Sequence, residues 1–413
     1  MAQNASRASQ RNAAVANHVT SQVILRGIFI ALFLQLQVLV FASFVSQKPL
    51  QFVQKIRLQV DFQDFYQAAI DWAHGANPYL RLDHFQYHRF NKPAPILWIV
   101  LPLTRFSEPT AAHIFYSANL LATAIALWGI CRYFELNHSE SLFLVGIGSM
   151  FFPLNFVIER GNLDGLMLML VVLALLLKNP IAKGVVLGLT VALKLYTTLL
   201  LVPLAINRGW KQAMTMLVVC AALFLSVFPL FTSFLRTQLA RGAEAYLVEN
   251  ISPAALGTIS GSYAEGRMFK LAYLALWLLS YLCMLARHRQ SSLDIQTIYS
   301  LPWMMAMPFL VLPYTGILLL PVLVLRSREI AARGLLTAYD YLFLGGFLLV
   351  GVQPLAMTDH FMWLTHSHRF FYALNPLGTT FVIGAIAIGP AVREQTRRKP
   401  VQRDSEVREY SAA

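Results

Sequence analysis

Asp61 and Asp64 stand three residues apart in Val60-Asp61-Phe62-Gln63-Asp64-Phe65-Tyr66, which continues to Gly75-Ala76-Asn77-Pro78-Tyr79. On a helix running toward Trp72 the two carboxylates share a face. Phe62, Phe65 and Tyr66 limit their hydration, and a carboxylate that loses water gains basicity, which suits general-base work. A plainer role is also open to Asp64, which can cap the helix that follows.

Other candidates sit at the edges of apolar runs. Glu159-Arg160-Gly161-Asn162-Leu163-Asp164 joins two such runs, and Lys194 is embedded in a third. Ionisable groups at membrane depth are costly and mark functional sites by default. Asp164 can equally be neutralised by Arg160 or Lys194 as a structural pair. Cations gather in the segments expected beside Asp61: Lys55, Arg57, Arg81, Arg89 and Lys92, then Arg160, Arg236, Arg241, Arg267 and Arg369. A phosphate on a lipid carrier is a natural partner for such a set. Each alone can instead pair with a lipid headgroup or with Glu159, Glu244, Glu249 or Glu265. Asp359, His360, His366 and His368 permit a metal site, but His-x-His is a weak signal and an aromatic-rich turn at a membrane surface explains the cluster as well. No Gly-rich phosphate loop, nucleophile elbow or His-Glu-x-x-His pattern occurs. No metal site is expected.

The elements that must position these groups are apolar. The chain has 413 residues, 57% hydrophobic and 13% charged, more apolar sequence than one soluble core can hide. A polytopic membrane protein is expected. The net charge of +13 sits mostly at the ends of apolar runs, so it reads as membrane orientation, and nucleic acid is excluded as a partner. Cys131, Cys220 and Cys283 lie inside apolar runs without Cys-x-x-Cys spacing, so no disulfide framework is indicated.

Candidate spans fall near residues 22–44, 109–133, 141–158, 162–177, 211–233, 268–286, 296–311, 312–325, 335–357 and 370–391. These give about ten crossings. A cytoplasmic N-terminus puts Lys178, Lys183, Arg208, Lys211, Arg287, Arg289, Arg326, Arg328, Arg333 and the Arg393 to Lys399 cluster on one side, as the positive-inside rule requires. Loops 46–108 and 234–267 then face outward. Residues 184–207 have basic flanks at both ends, so they are expected to form a hairpin of two short helices turning at Lys194; the alternative is one long helix with Lys194 snorkelling. Phe90 to Phe106, interrupted by Pro93, Pro95 and Pro102, fits a short interfacial or re-entrant helix. The expected organisation is a disordered cytoplasmic segment 1–21, a transmembrane domain 22–391 and a disordered basic tail 392–413.

Several of these stretches resemble glycosyltransferase family 87, the polyprenyl-phosphate-mannose-dependent mannosyltransferases and their relatives. They are Val60-Asp61-Phe62-x-x-Phe65-Tyr66-x-Ala68-Ala69 with Gly75-x-Asn77-Pro78-Tyr79, Phe90-Asn91-Lys92-Pro93-Ala94-Pro95, Leu101-Pro102-Leu103, Gly161-Asn162-Leu163, Gly184 to Lys194, and the short Asn250-Ile251-Ser252. The resemblance spans residues 60 to about 325, and the order of the motifs is its most specific aspect. Two departures stand out: Leu195 follows Lys194 where the family has Pro, and Val311-Leu312-Pro313-Tyr314 replaces Trp-x-His-Tyr.

The resemblance implies an all-α membrane protein of GT-C type in the cell (inner) membrane. It implies transfer of a sugar, mannose or a similar hexose, from a polyprenyl-phosphate donor to a lipid or glycan hydroxyl on the outer face, with inversion. Asp61 takes the role of base, with Asp64 beside it; Tyr66, Arg89, Lys92, Arg160, Asn162 and Lys194 are the expected substrate-binding residues. A phosphate leaving group needs no enzyme acid, so one carboxylate suffices. No nucleotide, metal or other cofactor is required. A transporter or flippase for lipid-linked sugars is the competing expectation, since it too uses intramembrane ions and a broken hairpin. A non-catalytic scaffold is a third, should the missing His mark a decayed site.

Overall fold

The computed structural model describes residues 20–38, 60–81, 90–241, 263–307, 313–351 and 368–390. Among them every regular element is helical. Helix α1 (Thr20–Val38) is followed by α2 (Val60–Ala73), a short α3 (Ala94–Arg105) and the 26-residue α4 (Glu108–Tyr133). Helices α5 (His138–Met150) and α6 (Phe152–Arg160) meet at a 57° bend where Pro153 opens the second. Then come α7 (Asp164–Leu176), α8 (Pro180–Leu193), α9 (Leu195–Ile206), α10 (Trp210–Leu225) and α11 (Phe228–Arg241). The last elements are α12 (Tyr263–Arg287), α13 (Leu293–Met305), α14 (Leu319–Arg333) after a tight turn Pro313–Leu318, α15 (Ala338–Val350) and α16 (His368–Ile388).

Local sequence sets many of these boundaries. Asn137 and Glu140 close a capping box at the start of α5, and Thr337 and Asp340 do the same for α15. The Asn179 side chain caps α8, with Pro180 in its first turn. Helix α6 stops at Gly161 in the left-handed region, φ 65°.

The expected ten crossings are not present as ten membrane-length helices. Among the described residues α1 and α4 are long and apolar enough to span on their own, and the count reaches four if each of two bent pairs is one span. Expected span 162–177 becomes the 13-residue α7, about 20 Å long against a hydrocarbon core of about 30 Å. Expected span 211–233 turns through 97° between α10 and α11, just before Pro229. Apolar length read from sequence does not register where the helix axis turns. Residues 90–106 do form a short helix, α3, whose Leu97 and Val100 are buried while Trp98 and Ile99 are exposed.

The packing of glycines gives the directions of the helices. A side chain at Gly184 would run into Gln212 and Thr215, and one at Gly188 into Met216 and Val219, so α8 and α10 run parallel in close backbone contact. Helix α9 must therefore return the chain between them, and the turn is at Lys194, where the backbone is extended (φ −146°, ψ 109°). The expected hairpin is present. By the same reasoning Gly129 against Val172 and Leu176, and Gly165 against Asn119 and Thr123, make α4 and α7 parallel.

Two apolar clusters result. The larger occupies the middle of the bundle, drawing on Phe151, Leu168, Tyr281, Trp303 and Leu320. The smaller joins α2 and α3 to the upper ends of α4, α7 and α8 through Phe62, Phe65, Tyr79, Phe90, Phe115 and Met167. Phe115 is the pivot, with Phe62 at 4.7 Å and Phe65 at 6.4 Å between ring centroids. Many basic residues expected on one side gather at the far end of the bundle: Lys183 pairs with Asp294, Arg328 with Glu140, and Arg326 and Arg333 with Asp340. Lys183 and Lys194 mark the two ends of α8, about 16 Å apart along its axis.

Candidate active site

Four helix ends converge between the two clusters, and each carries a charge opposite to its dipole. Asp61 lies in the first turn of α2 and Asp164 in the first turn of α7. Arg160 is the last residue of α6, and Lys194 closes α8. Anions at helix N-termini and cations at C-termini are each favourable, so the arrangement holds four ionised groups in a place with little water. Asp61 is 8% exposed, Asp164 0% and Lys194 6%.

Asn162 sits at the centre of this set, in the link Gly161-Asn162-Leu163 that the left-handed Gly161 makes possible. Its amide nitrogen donates to Asp61 Oδ2. Its amide oxygen accepts from Lys194 Nζ at 3.0 Å and from the Leu163 backbone at 2.7 Å. Asn119, buried within α4, donates to the Asn162 carbonyl at 2.6 Å and fixes the link from below.

The two carboxylates are held differently. Asp61 Oδ1 receives Arg160 Nε and Nη2, each at 3.2 Å. Asp164 is clamped by Lys194 Nζ at 2.8 Å and by the Tyr196 hydroxyl. The Asp164–Lys194 pair is thus one of the structural pairings expected from sequence. Lys194 also rests over the Tyr314 ring, 4.7 Å from its centroid, while Lys92 donates to the Tyr314 hydroxyl at 3.4 Å. Tyr314 stacks in turn on Phe156.

Lys92 reaches this position because its segment is pinned. The Tyr79 hydroxyl donates to the Lys92 carbonyl at 2.6 Å, and burial pushes the Tyr79 phenol well above its usual range, keeping the proton that this bond needs. The Asn77 side chain caps Tyr79 and reaches Ser233 on α11. Trp72 packs edge-on against Trp98, fixing α2 to α3.

Of the expected site residues, Asp61, Arg160, Asn162 and Lys194 come together in one hydrogen-bonded network, and Lys92 joins it through Tyr314. Asp64, one helical turn along α2, is partly exposed and engaged in other contacts. Tyr66 is not brought into the network: its hydroxyl donates to the Phe106 carbonyl at 2.7 Å and its ring is buried beside Phe62. Arg89 lies outside the described residues, as do Lys55, Arg57, Asn250-Ile251-Ser252, Asp359, His360, His366, segment 1–19 and the tail from 391. Sequence reasoning did not select Tyr196, Tyr314 or Asn119 as site residues. The available signals were a Tyr two residues after an intramembrane Lys, the Tyr that closes the otherwise altered late motif, and a lone amide in an apolar helix.

The family model of glycosyltransferase family 87 matches residues 90–313, more than half of the chain. The chain belongs to glycosyltransferase family 87. Membership supports glycosyl transfer as its general activity and agrees with the helical, membrane-associated architecture. No curated protein and no solved structure matches. The matched region carries Lys92, Arg160, Asn162, Asp164, Lys194 and Tyr196; Asp61 lies ahead of it and is joined to it by Arg160 and Asn162.

Proposed function

We propose that this family 87 protein is a membrane hexosyltransferase that moves a sugar, mannose or a similar hexose, from a polyprenyl-phosphate donor to a hydroxyl of a lipid or glycan. The reaction takes place at the outer face of the cell membrane, with the N-terminus in the cytoplasm, and inverts the anomeric carbon. Asp61 is the general base. The observation that supports this reading is the low-exposure carboxylate of Asp61, oriented by Asn162 and Arg160, while the neighbouring Asp164 is already committed to Lys194 and Tyr196.

The chemistry asks for little more. The acceptor oxygen bonds to the anomeric carbon, the carbon–oxygen bond to phosphate breaks, and the hydroxyl proton goes to Asp61. Phosphate leaves without protonation and is stabilised by fixed cations, for which Lys194, Lys92 and Arg89 are the candidates. Leu195 and Pro313 stand where the family pattern has Pro and His, while Tyr314 keeps the Tyr of the late motif and supplies a hydroxyl and ring to the network. No cofactor enters this scheme.

The test is transfer of radiolabelled sugar from a polyprenyl-phosphate donor into membrane lipids or glycans by wild type and Asp61→Asn at matched abundance. Transfer that falls at least about a hundredfold in the variant supports the reading. Equal labelling moves the base elsewhere, and no labelling from a panel of donors favours a transporter of lipid-linked sugars.

A further inference from the structure

We infer that the Tyr314 hydroxyl donates a hydrogen bond to the phosphate of the lipid-linked donor, between the ammonium groups of Lys92 and Lys194. The inference rests on the transferase reading above and adds a binding residue to its donor site. The bond runs to phosphate directly, beyond any support that Tyr314 gives to the two lysines.

Local packing holds the hydroxyl in place. Tyr314 lies in the turn Pro313–Leu318, and a Cβ on Gly316 would stand 2.7 Å from Pro153, so glycine lets this turn seat closely on α6. The Tyr314 ring stacks on Phe156 of the same helix, and the residue is 3% exposed. Its oxygen accepts from Lys92 Nζ at 3.4 Å. A hydroxyl that turns a lone pair to an ammonium directs its own proton elsewhere. Among the described residues that proton meets no acceptor. The nearby carboxylates are already engaged, Asp61 by Arg160 and Asn162, Asp164 by Lys194 and Tyr196.

Lys194 repeats the pattern. An ammonium has three N–H groups; one goes to Asp164 and one to Asn162, and the third meets no oxygen among the described residues. The Tyr314 ring, 4.7 Å from Nζ at its centroid, is a weaker partner. Two buried donors therefore lack acceptors at one place, and each such deficit costs about 1–3 kcal/mol. A phosphate has enough oxygens to accept from both, and the two ammonium groups balance its charge. The proton stays on Tyr314. Its acceptor oxygen belongs to the phosphate both before and after the anomeric carbon leaves, so the bond acts on donor affinity more than on the chemical step.

The experiment is binding of a polyprenyl phosphate to the full chain in detergent, with the corresponding polyprenol as neutral control, in wild type, Tyr314→Phe, Lys92→Met and the double variant. Tyr314→Phe is expected to weaken phosphate binding roughly three- to tenfold and to leave polyprenol binding unchanged. The same factor is expected in the Lys92→Met background, because the bond does not act through that lysine. Thermal melting of each variant is followed alongside, and Tyr314→Met repeats the cycle if Tyr314→Phe does not fold. No loss in Tyr314→Phe, or a loss that vanishes in the Lys92→Met background, overturns the inference while leaving the transferase reading intact. Competition by phosphatidylglycerol as strong as that by polyprenyl phosphate makes this a headgroup site and overturns the assignment to the donor. A wild type that binds polyprenyl phosphate no better than polyprenol overturns both the inference and the reading beneath it.

Discussion

Asn162 joins Asp61 to Lys194 through one amide: its nitrogen donates to Asp61 Oδ2 and its oxygen accepts from Lys194 Nζ at 3.0 Å. The chemistry of the neighbours dictates this orientation, because a carboxylate only accepts and an ammonium only donates. Replacing Asn162 with Ala removes a fully buried side-chain amide with three hydrogen-bond partners, Asp61, Lys194 and the Leu163 backbone. Sugar transfer is expected to fall at least about tenfold, with a stability loss of roughly 2 kcal/mol. Asn162→Asp sets a second carboxylate against Asp61, so the acidic limb of the pH–rate profile is expected to move upward. A profile that stays in place would separate Asn162 from the base.

The buried Asp164–Lys194 pair gives a prediction that divides stability from activity. Lys194→Met leaves Asp164 at 0% exposure without its cation, a loss of about 3–5 kcal/mol. Adding Asp164→Asn removes the stranded charge and is expected to restore most of that stability. If the Lys194 charge also holds the donor, transfer remains lost in the stable double variant; restored transfer would make the pair purely structural. Chemical denaturation and labelled-sugar transfer read the two quantities separately.

Tyr314 offers a narrower change. Tyr314→Phe keeps the ring beneath Lys194 and its stacking on Phe156 but removes the hydroxyl that Lys92 reaches. The KM for donor is expected to rise by roughly three- to tenfold with kcat little altered, as for loss of one hydrogen bond to a charged group. A fall in kcat with unchanged KM would assign Tyr314 to the transition state instead.

Gly165 lets α7 approach α4 closely. A Cβ there would stand 2.8 Å from both Asn119 Oδ1 and Thr123 Oγ1. Gly165→Ala is expected to cost about 1–3 kcal/mol and to loosen the Asn119 support of Asn162, so its melting temperature and its transfer rate fall together. Gly345, where an added Cβ meets nothing within 4 Å, is the control.

His288 supplies a pH dependence at the other end of the bundle. It lies in the turn between α12 and α13, 2% exposed, with its ring 4.6 Å from that of Tyr299. Burial, then the charges on Arg326 and Arg287, hold its pKa down at about 4. The unfolded chain binds this proton near pH 6.5. Above that pH both states are neutral and the contribution is complete; between about 6.5 and 4 the unfolded state takes up a proton that the folded state refuses, and stability declines. The loss attributable to this residue is at most about 3 kcal/mol. The melting temperature of wild type is therefore expected to drop across this window more than that of His288→Gln.

Hydrophobic length and the placement of charges and prolines pointed, from sequence alone, to a helical membrane protein, a break at Lys194 and a short proline-interrupted helix within residues 90–106, which the structure places at Ala94–Arg105. These are local properties: composition fixes where the chain prefers lipid, and prolines and buried charges fix where a helix stops. The same signals marked Asp61, Arg160 and Lys194 as unusual, one at a time, and Asn162 was added by the family resemblance. Tertiary structure decided the rest. Asp61 and Asn162 are separated by 101 residues and Asn162 and Lys194 by 32, and no local rule sets which helix ends meet. Their meeting depends on the parallel packing of α4 with α7 and of α8 with α10, where glycines allow the backbones to close. Tyr66 shows the same limit in reverse, since a motif residue beside the carboxylate spends its hydroxyl on the Phe106 backbone. The right-angle turn between α10 and α11 was likewise hidden, because hydropathy measures preference for lipid and carries no direction.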